Sequence, residues 1–217
     1  MRLPTPRWLA HLFAPPALPS GTAPSDVAPS DAAPHVTHTV LHGVPVTVVN
    51  TRPDVATPDV LRRLGAALAL VAEHAPHRLR HLRRDVARLV VRRYACRGAY
   101  DPNTGECLVE LTFVVNPAFN LAQVAATIVH EGAHARLHRL GFSLDMADRE
   151  RQERFCRRAE IEFGRRAPGG ELVVERALAI LESEGVEVAP VIDARVAEGR
   201  VREVDRAVWE GGGRSRR

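Results

Sequence analysis

The sequence predicts an α+β protein, with a small antiparallel or mixed sheet packed on a buried helix and a predominantly helical C-terminal half. Three observations support this class. Segments rich in Val, Leu and Thr, which favour strands, lie before residue 116. Residues 124–129 form an apolar run that is typical of a buried helix. The three long segments that follow residue 141 all favour helix.

A single domain is predicted for residues 38–210, because 217 residues are ample for one core. Residues 1–37 are rich in Pro and Ala and repeat the tetrapeptide Ala-Pro-Ser-Asp. Such a stretch cannot bury enough apolar area to offset its ordering entropy, so it is predicted to be a flexible leader. Residues 211–217, rich in Gly and Arg, are predicted to be a disordered tail.

The first half of the predicted domain alternates strands and helices. Residues 39–49 predict a strand that a glycine and a proline interrupt. A Thr-Pro-Asp start predicts a helix over residues 57–73. Residues 78–89 predict a second helix, and residues 89–95 suit either its continuation or a strand. Residues 107–115 predict a strand that ends at an Asn-Pro pair.

The second half is predicted to be helical. Asn120 is suited to be the N-cap of a helix that contains the apolar run, and Gly141 is suited to end it. A polar helix is predicted for residues 145–166. Residues 172–184 and 193–209 predict two more helices, which complete the domain.

The strongest functional signal is the segment His130-Glu131-Gly132-Ala133-His134. Four residues advance a helix by about 400°, so His130 and His134 project from one face. Their imidazoles can bind one Zn²⁺ ion, while Glu131 lies beside them to hold a water. The sequence therefore predicts a zinc site with these two histidines as ligands. A pair of core histidines without metal is the alternative.

The third ligand is expected from the polar helix that follows. Glu153 and Glu160 are seven residues apart and share a face two turns long. Glu153 is the predicted ligand. Glu160 is the second candidate, or an acceptor for an imidazole N–H. The alternative is a solvated helix face on which these glutamates pair with neighbouring arginines. His138 lies further round the first helix and is not expected to bind the metal.

The motif and the glutamate on the next helix resemble the zincin metallopeptidases, of the gluzincin type, and small bacterial zincin-like proteins. The resemblance covers residues 108–163. It implies a zincin-like fold, bound Zn²⁺, a peptide or protein substrate, and a strand at residues 108–115 that borders the substrate cleft. The residues after His134 lack the further glycine and histidine of the metzincin branch. Arg136 and Arg157 depart from the extended pattern, which leaves the subfamily open.

The function that the resemblance implies is that of a zinc-dependent hydrolase, a metallopeptidase. Glu131 would act as the general base on a zinc-activated water. Tyr94, Tyr100, His138 and several arginines are candidates for stabilising the oxyanion. The alternative is a catalytically silent zincin-like module that binds metal and serves in interactions. Oligomeric state is left open.

Other partners are predicted to be absent. Net charge is +4, but every basic residue is Arg, which indicates a compositional bias rather than a nucleic-acid surface. The alternative is that the arginine-rich residues 78–93 form a helix that binds nucleic-acid phosphates. No apolar run approaches the ~20 residues of a membrane span, and the N-terminus is a poor secretory signal. We therefore expect a cytoplasmic protein without nucleic acid or membrane partners.

The three cysteines are predicted to be free thiols, because they form no CxxC pair and one would remain unpaired. A bridge between Cys96 and Cys107, across a predicted turn at residues 101–105, is the alternative.

Overall fold

The computed structural model describes residues 35–142, 148–182 and 194–212, and its sheet begins with a hairpin at residue 35. β1 (His35–Leu41) and β2 (Val44–Asn50) pair antiparallel. The turn between them is formed by His42 and Gly43, with φ of 48° and 75°. Positive φ at both positions is typical of a two-residue hairpin turn. The strand predicted for residues 39–49 is therefore two strands, and the first begins four residues earlier.

The other three strands complete a mixed sheet. β3 (Arg88–Arg92) is parallel to β2, and β5 (Glu106–Glu110) is parallel to β3. β4 (Gly98–Asp101) is antiparallel to β5 and forms an edge, so the order is β1-β2-β3-β5-β4. This confirms the α+β class with a small mixed sheet. The sheet also answers whether residues 89–95 continue a helix or form a strand. Residues 89–92 belong to β3, and residues 93–95 follow it.

One face of the sheet carries the core. The side chains on that face belong to alternate residues of the three central strands and are at most 2% exposed: Val44, Val46, Val48, Leu89, Val91, Cys107 and Val109. The strand register places Val46 beside Leu89 and Leu89 beside Cys107, so an apolar row crosses the sheet. The three free cysteines confirm the thiol prediction.

Two helices connect β2 to β3. α1 (Thr57–His74) has Pro58 in its first turn, as expected, and buries an apolar stripe on the core. α2 (Pro76–Asp85) ends earlier than predicted, because Val86 is already extended, with φ −105° and ψ 128°. The apolar spacing over residues 78–89 is real, but its last members lie in the connection and in β3. The pairing of residues 89–92 with β2 therefore outweighed the helix preference of the apolar pattern.

The strand predicted for residues 107–115 is wrong beyond residue 110. Leu111–Val115 is a short helix, α3. Its cap is the side chain of Glu110, which accepts hydrogen bonds from the backbone N–H of Phe113 at 2.6 Å and from the hydroxyl of Thr112 at 2.7 Å. The buried carboxylate satisfies the free N–H groups of a helical turn, which outweighs the strand preference of these residues.

α4 (Leu121–Arg139) is the helix that contains the histidine motif. Asn120 caps it in a reciprocal box with Gln123, and Gly141 follows its end with φ 83°, so both predicted signals are confirmed. Gly132, inside the motif, permits close packing on α2. A Cβ atom there would lie 2.6 Å from Leu82 Cδ2.

The remaining helices are α5 (Arg149–Gly164), α6 (Glu171–Leu181) and α7 (Ala194–Gly212). They correspond to the three predicted helices, with bounds that differ by one to four residues. α5 packs along α4, and α6 packs on both. Asp205 of α7 forms ion pairs with Arg52 and Arg93, which join this helix to the sheet.

Parts of the predicted organisation lie outside the described residues. These are the leader up to residue 34, the tail from residue 213, and the ends of two helices in residues 143–147 and 183–193. Among the helices that are described, none has the length and apolar character needed to cross a membrane.

Candidate metal centre

The two motif histidines converge in a buried position on α4. Their Nε2 atoms are 3.2 Å apart, and the His130 residue is only 5% exposed. The whole central part of α4 is buried, because helices and sheet surround it. His130 and His134 therefore lie on one face of the helix, as their separation of four residues requires. Both Nε2 atoms point to the same position.

Glu153 of α5 completes this arrangement from the neighbouring helix. Its Oε2 lies 3.2 Å from His130 Nε2 and its Oε1 lies 3.5 Å from His134 Nε2. Ligand atoms bound at about 2.0–2.1 Å by a tetrahedral zinc are about 3.3–3.4 Å apart. The distances between the two Nε2 atoms and between His130 Nε2 and Glu153 Oε2 are close to this spacing. The contact with His134 uses the other carboxylate oxygen, so the Glu153 carboxylate lies across both imidazoles.

A third kind of donor, which the sequence reasoning did not consider as a ligand, lies beside the histidines. The Sγ atom of Cys156 and one nitrogen from each of His130 and His134 lie within 4.8 Å of one another. Cys156 is fully buried, and burial raises the pKa of its thiol well above the usual value, with Glu153 raising it further. The group formed by His130, His134 and Cys156 could hold a metal ion.

Glu160 occupies a different position from Glu153. Its Oε1 lies 2.8 Å from Nδ1 of His130, the ring nitrogen that does not face His134. The same oxygen accepts a hydrogen bond from Arg157 Nη1 at 2.6 Å. Glu160 therefore lies behind the imidazole, in the position of a carboxylate that orients a metal-binding histidine, although the contact lacks the angle of a hydrogen bond.

These contacts set the charges of the site. Burial and Arg157 lower the pKa of His130, but Glu160 and Glu153 outweigh them and raise it to about 9. Burial raises the pKa of Glu160, yet Arg157 and His130 lower it to about 2. The carboxylates of Glu153 and Glu160 are therefore ionised at neutral pH. A metal ion bound here has to displace the proton of His130.

Glu131, the predicted general base, lies between α4 and the edge strand β4. It is 6% exposed, and burial raises its pKa while His130 and His134 lower it less. A Cβ atom on Gly98 would lie 2.8 Å from Glu131 Oε1 and 2.7 Å from Thr127 Cγ2. β4 thus lies against Glu131 at the edge of the sheet, while β5, part of the predicted residues 108–115, also contacts α4 but lies inside the sheet.

Gly98→Ala is expected to lower the free energy of unfolding by about 1–3 kcal/mol, because either β4 or the two helix side chains must move. Thermal or urea unfolding measures this. Gly65→Ala is the matched control: Gly65 lies in α1 with no atom within 4 Å of its added Cβ. That variant is expected to be more stable by about 0.5–1 kcal/mol. Equal stability of Gly98→Ala and the wild type would contradict the packing of β4 on Glu131.

Several other predicted candidates do not meet at this site. Glu150 and Glu162 pair with Arg154 and Arg78 instead. His138 is exposed beyond the motif, where its Nδ1 lies 2.9 Å from the hydroxyl of Tyr100. The prediction that His138 is not a ligand agrees with this position.

Sequence reasoning missed Cys156 as a possible ligand and Gly98 as a neighbour of the motif. Cys156 follows Glu153 by three residues, so extending the helical stripe from Glu153 would have found it. Gly98 reaches the motif from β4, about thirty residues earlier in the chain, and no local pattern indicates that approach.

The arginine-rich residues 78–93 cover most of α2 and all of β3, and Arg78 and Arg84 form ion pairs with Glu162 and Asp85.

Comparison of the chain with protein-family models, with curated proteins and with solved structures finds no match.

Proposed function

We propose that this protein is a zinc-dependent hydrolase with zincin-like architecture, and specifically a metallopeptidase. His130, His134 and Glu153 are the proposed ligands, and Glu131 is the proposed general base. The observation that carries the proposal is the spacing of 3.2, 3.2 and 3.5 Å among the two Nε2 atoms and the Glu153 carboxylate. This spacing suits a tetrahedral ion that keeps a fourth position open.

The donor set favours zinc over other divalent ions. Two imidazoles and one carboxylate form the ligand set of several hydrolytic zinc sites, whereas Mg²⁺ and Ca²⁺ prefer oxygen ligands alone. The carboxylate of Glu160 behind His130 fits the same interpretation, because such partners are common for zinc-bound imidazoles.

A zinc ion bound by this set supplies Lewis acidity, which polarises a carbonyl and lowers the pKa of water toward neutrality. Glu131 would then take a proton on its carboxylate and deliver it to the leaving nitrogen. Its raised pKa suits this task, because a base that is too weak cannot accept the proton. Burial of Glu131 between α4 and β4 would keep bulk water away from the transfer.

A peptide substrate is favoured by the edge strand. β4 pairs with β5 on one side only, and it ends the described sheet beside Glu131. An extended peptide can add to such an edge through main-chain hydrogen bonds. The susceptible carbonyl would then lie beside the outer edge of β4, next to the motif helix.

A second candidate function is a closed metal-binding module without catalysis. The observation that favours it is the thiol of Cys156, because a fourth protein ligand would fill the open position that a substrate or water needs. In this alternative the metal stabilises the packing of α4 on α5 and takes no part in chemistry.

Elemental analysis and a peptide-hydrolysis assay on the purified protein test the proposal together. We expect one zinc per chain, together with activity that a chelator removes and added zinc restores. Zinc-loaded protein that cleaves no member of a broad peptide library would overturn the catalytic proposal. A metal-free protein that does not bind added zinc would overturn both functions.

Cys156→Ser separates the two candidates. For the hydrolase we expect zinc affinity and activity to change by less than about 5-fold, because the three other ligands remain. A closed site would instead lose affinity by 100-fold or more. Cys96→Ser is the control, because Cys96 is outside the metal-binding group. Its thiol donates a hydrogen bond to the carbonyl of Gly98, and a serine hydroxyl can donate the same bond. Zinc affinity measured by competition with a chromophoric chelator is the readout.

A further inference from the structure

Two arginines beside the metal centre have no acidic partner. Within the described part of the chain, no carboxylate lies within ion-pair distance of Arg97 or Arg176, and neither guanidinium makes a hydrogen bond. Other arginines near the centre differ: Arg157, for example, is bound by Glu160. A partly buried guanidinium without a counterion is unusual, because its lost hydration is not replaced.

Both arginines are held at the same part of the motif helix. Arg97 stacks on Phe119 and Phe113, with its Cζ atom 4.4 and 5.3 Å from the ring centroids. It directly precedes Gly98, which contacts Thr127 of α4. Arg176 comes from α6 on the other side and lines a small depression that Thr127 and Glu160 also line. Thr127 is one turn before His130, about 4.5 Å along the helix axis.

The two unpaired guanidiniums favour an added anion. Burial and the proximity of Arg176 lower the pKa of Arg97 to about 10. Burial, then Arg157, lowers the pKa of Arg176. Arg157 is paired with Glu160, whereas the positive charges of Arg97 and Arg176 are not compensated by an ion pair among the described residues.

We propose that Arg97 and Arg176 bind a carboxylate of the substrate on the N-terminal side of the motif histidines. Guanidinium groups match a carboxylate in shape and can donate two parallel hydrogen bonds to it. The stacking of Arg97 on two phenyl rings limits its freedom, so binding costs less entropy. The carboxylate is either the C-terminus of a peptide or an acidic side chain near the scissile bond.

The consequence for cleavage depends on the proposed hydrolase function, but carboxylate binding does not. If the enzyme is a peptidase, its preferred substrates carry a negative charge within one or two residues of the bond that is cut. A free C-terminal carboxylate would make it release short C-terminal fragments, whereas an acidic side chain would make it cut within chains.

Binding is tested with zinc-loaded Glu131→Gln protein and fluorescein-labelled tetra-alanine peptides. One peptide has a free C-terminus, one is the C-terminal amide, and a third series is amidated with a single Glu at each position in turn. Fluorescence anisotropy is expected to give at least 10-fold tighter binding for the free acid or for one of the Glu peptides than for the amide. Which of the two is preferred identifies the source of the carboxylate.

The arginine variants assign this preference to the pair. Arg97→Gln and Arg176→Gln are each expected to weaken binding of the preferred peptide by about 10- to 100-fold, as for a lost charged hydrogen bond, with little change for the amide. Arg80→Gln is the matched control, because Arg80 is exposed on α2 and its replacement removes the same charge. Unfolding curves check that the variants are folded. The Lys variants at both positions retain charge and are expected to recover part of the binding.

The outcomes separate this inference from the proposed function. Equal binding of acid, Glu and amide peptides, or equal effects of all three Gln variants, would overturn the carboxylate site. An arginine-dependent preference in a protein that cleaves none of these peptides supports the site while the hydrolase proposal fails. Cleavage of the acid, the amide and all the Glu peptides at the same kcat/KM in the wild type overturns the site and leaves the hydrolase proposal intact.

Discussion

Glu131→Gln is expected to lower kcat/KM by at least about 100-fold, as for the loss of a general base, while zinc content stays at one per chain. The amide keeps the size and shape of the carboxylate, so β4 and α4 can remain packed around it. It cannot accept a proton, which is the role proposed for this residue. The measurement is hydrolysis of the best library peptide, with zinc determined on the same sample.

Two controls make this result specific. His134→Gln removes a proposed ligand and is expected to lose both zinc and activity, which distinguishes a missing metal from a missing base. Glu150→Gln removes a carboxylate from the exposed Glu150–Arg154 pair and is expected to leave both unchanged. Undiminished hydrolysis by Glu131→Gln would exclude Glu131 as the base, whatever the metal content.

Glu153→Gln is expected to reduce zinc affinity more than Glu160→Gln does, whereas Glu160→Gln is expected to destabilise the metal-free protein more. Glu153 faces both Nε2 atoms, so its loss should lower zinc affinity by more than the 10- to 100-fold that is typical for a residue behind a ligand. Glu160 contacts Nδ1 of His130, so its loss should stay within about that 10- to 100-fold range. Competition with a chelator gives both affinities.

Stability of the metal-free protein should show the reverse order. Glu160→Gln leaves Arg157 buried without its closest carboxylate, and breaking a buried pair in this way costs about 3–5 kcal/mol. Glu153 lies 3.9 Å from Arg157, and its closer contacts are with the imidazoles of His130 and His134. An imidazole can release its proton when the carboxylate is lost, whereas a guanidinium cannot, so the cost is expected to be smaller. Urea unfolding in the presence of a chelator measures the difference. A larger affinity loss for Glu160→Gln than for Glu153→Gln would reassign the third ligand.

Much of the fold followed from local chemistry. The start and end of α4 were predictable because the Asn120 cap and the glycine after the helix act within a few residues of the backbone that they satisfy. The start of α1 was predictable because Pro58 suits the first turn of a helix. Residues 86–89 and 111–115 were predicted wrongly, because their conformation depends on β3 pairing with β2 and on the buried carboxylate of Glu110. Neither interaction can be inferred from the apolar spacing of the segment itself.

In the candidate site, too, local spacing predicted some features and left others open. His130 and His134 share a helix, so spacing alone placed them on one face. The choice between Glu153 and Glu160 could not be made from spacing, since both lie on the same stripe of α5. Their distances to the two nitrogens of His130 distinguish them: Glu153 lies against Nε2, and Glu160 lies against Nδ1.

The sequence by itself determined the α+β class, the bounds of the motif helix and the placement of two imidazoles on one face of it. These depend on interactions within about one helical turn, where covalent geometry leaves few alternatives. Only the tertiary structure brought Glu153 and Cys156 beside the histidines, set Gly98 against Glu131 and left Arg97 and Arg176 without a carboxylate partner among the described residues. Such contacts join elements that are distant in the chain, and packing alone determines which side chains meet.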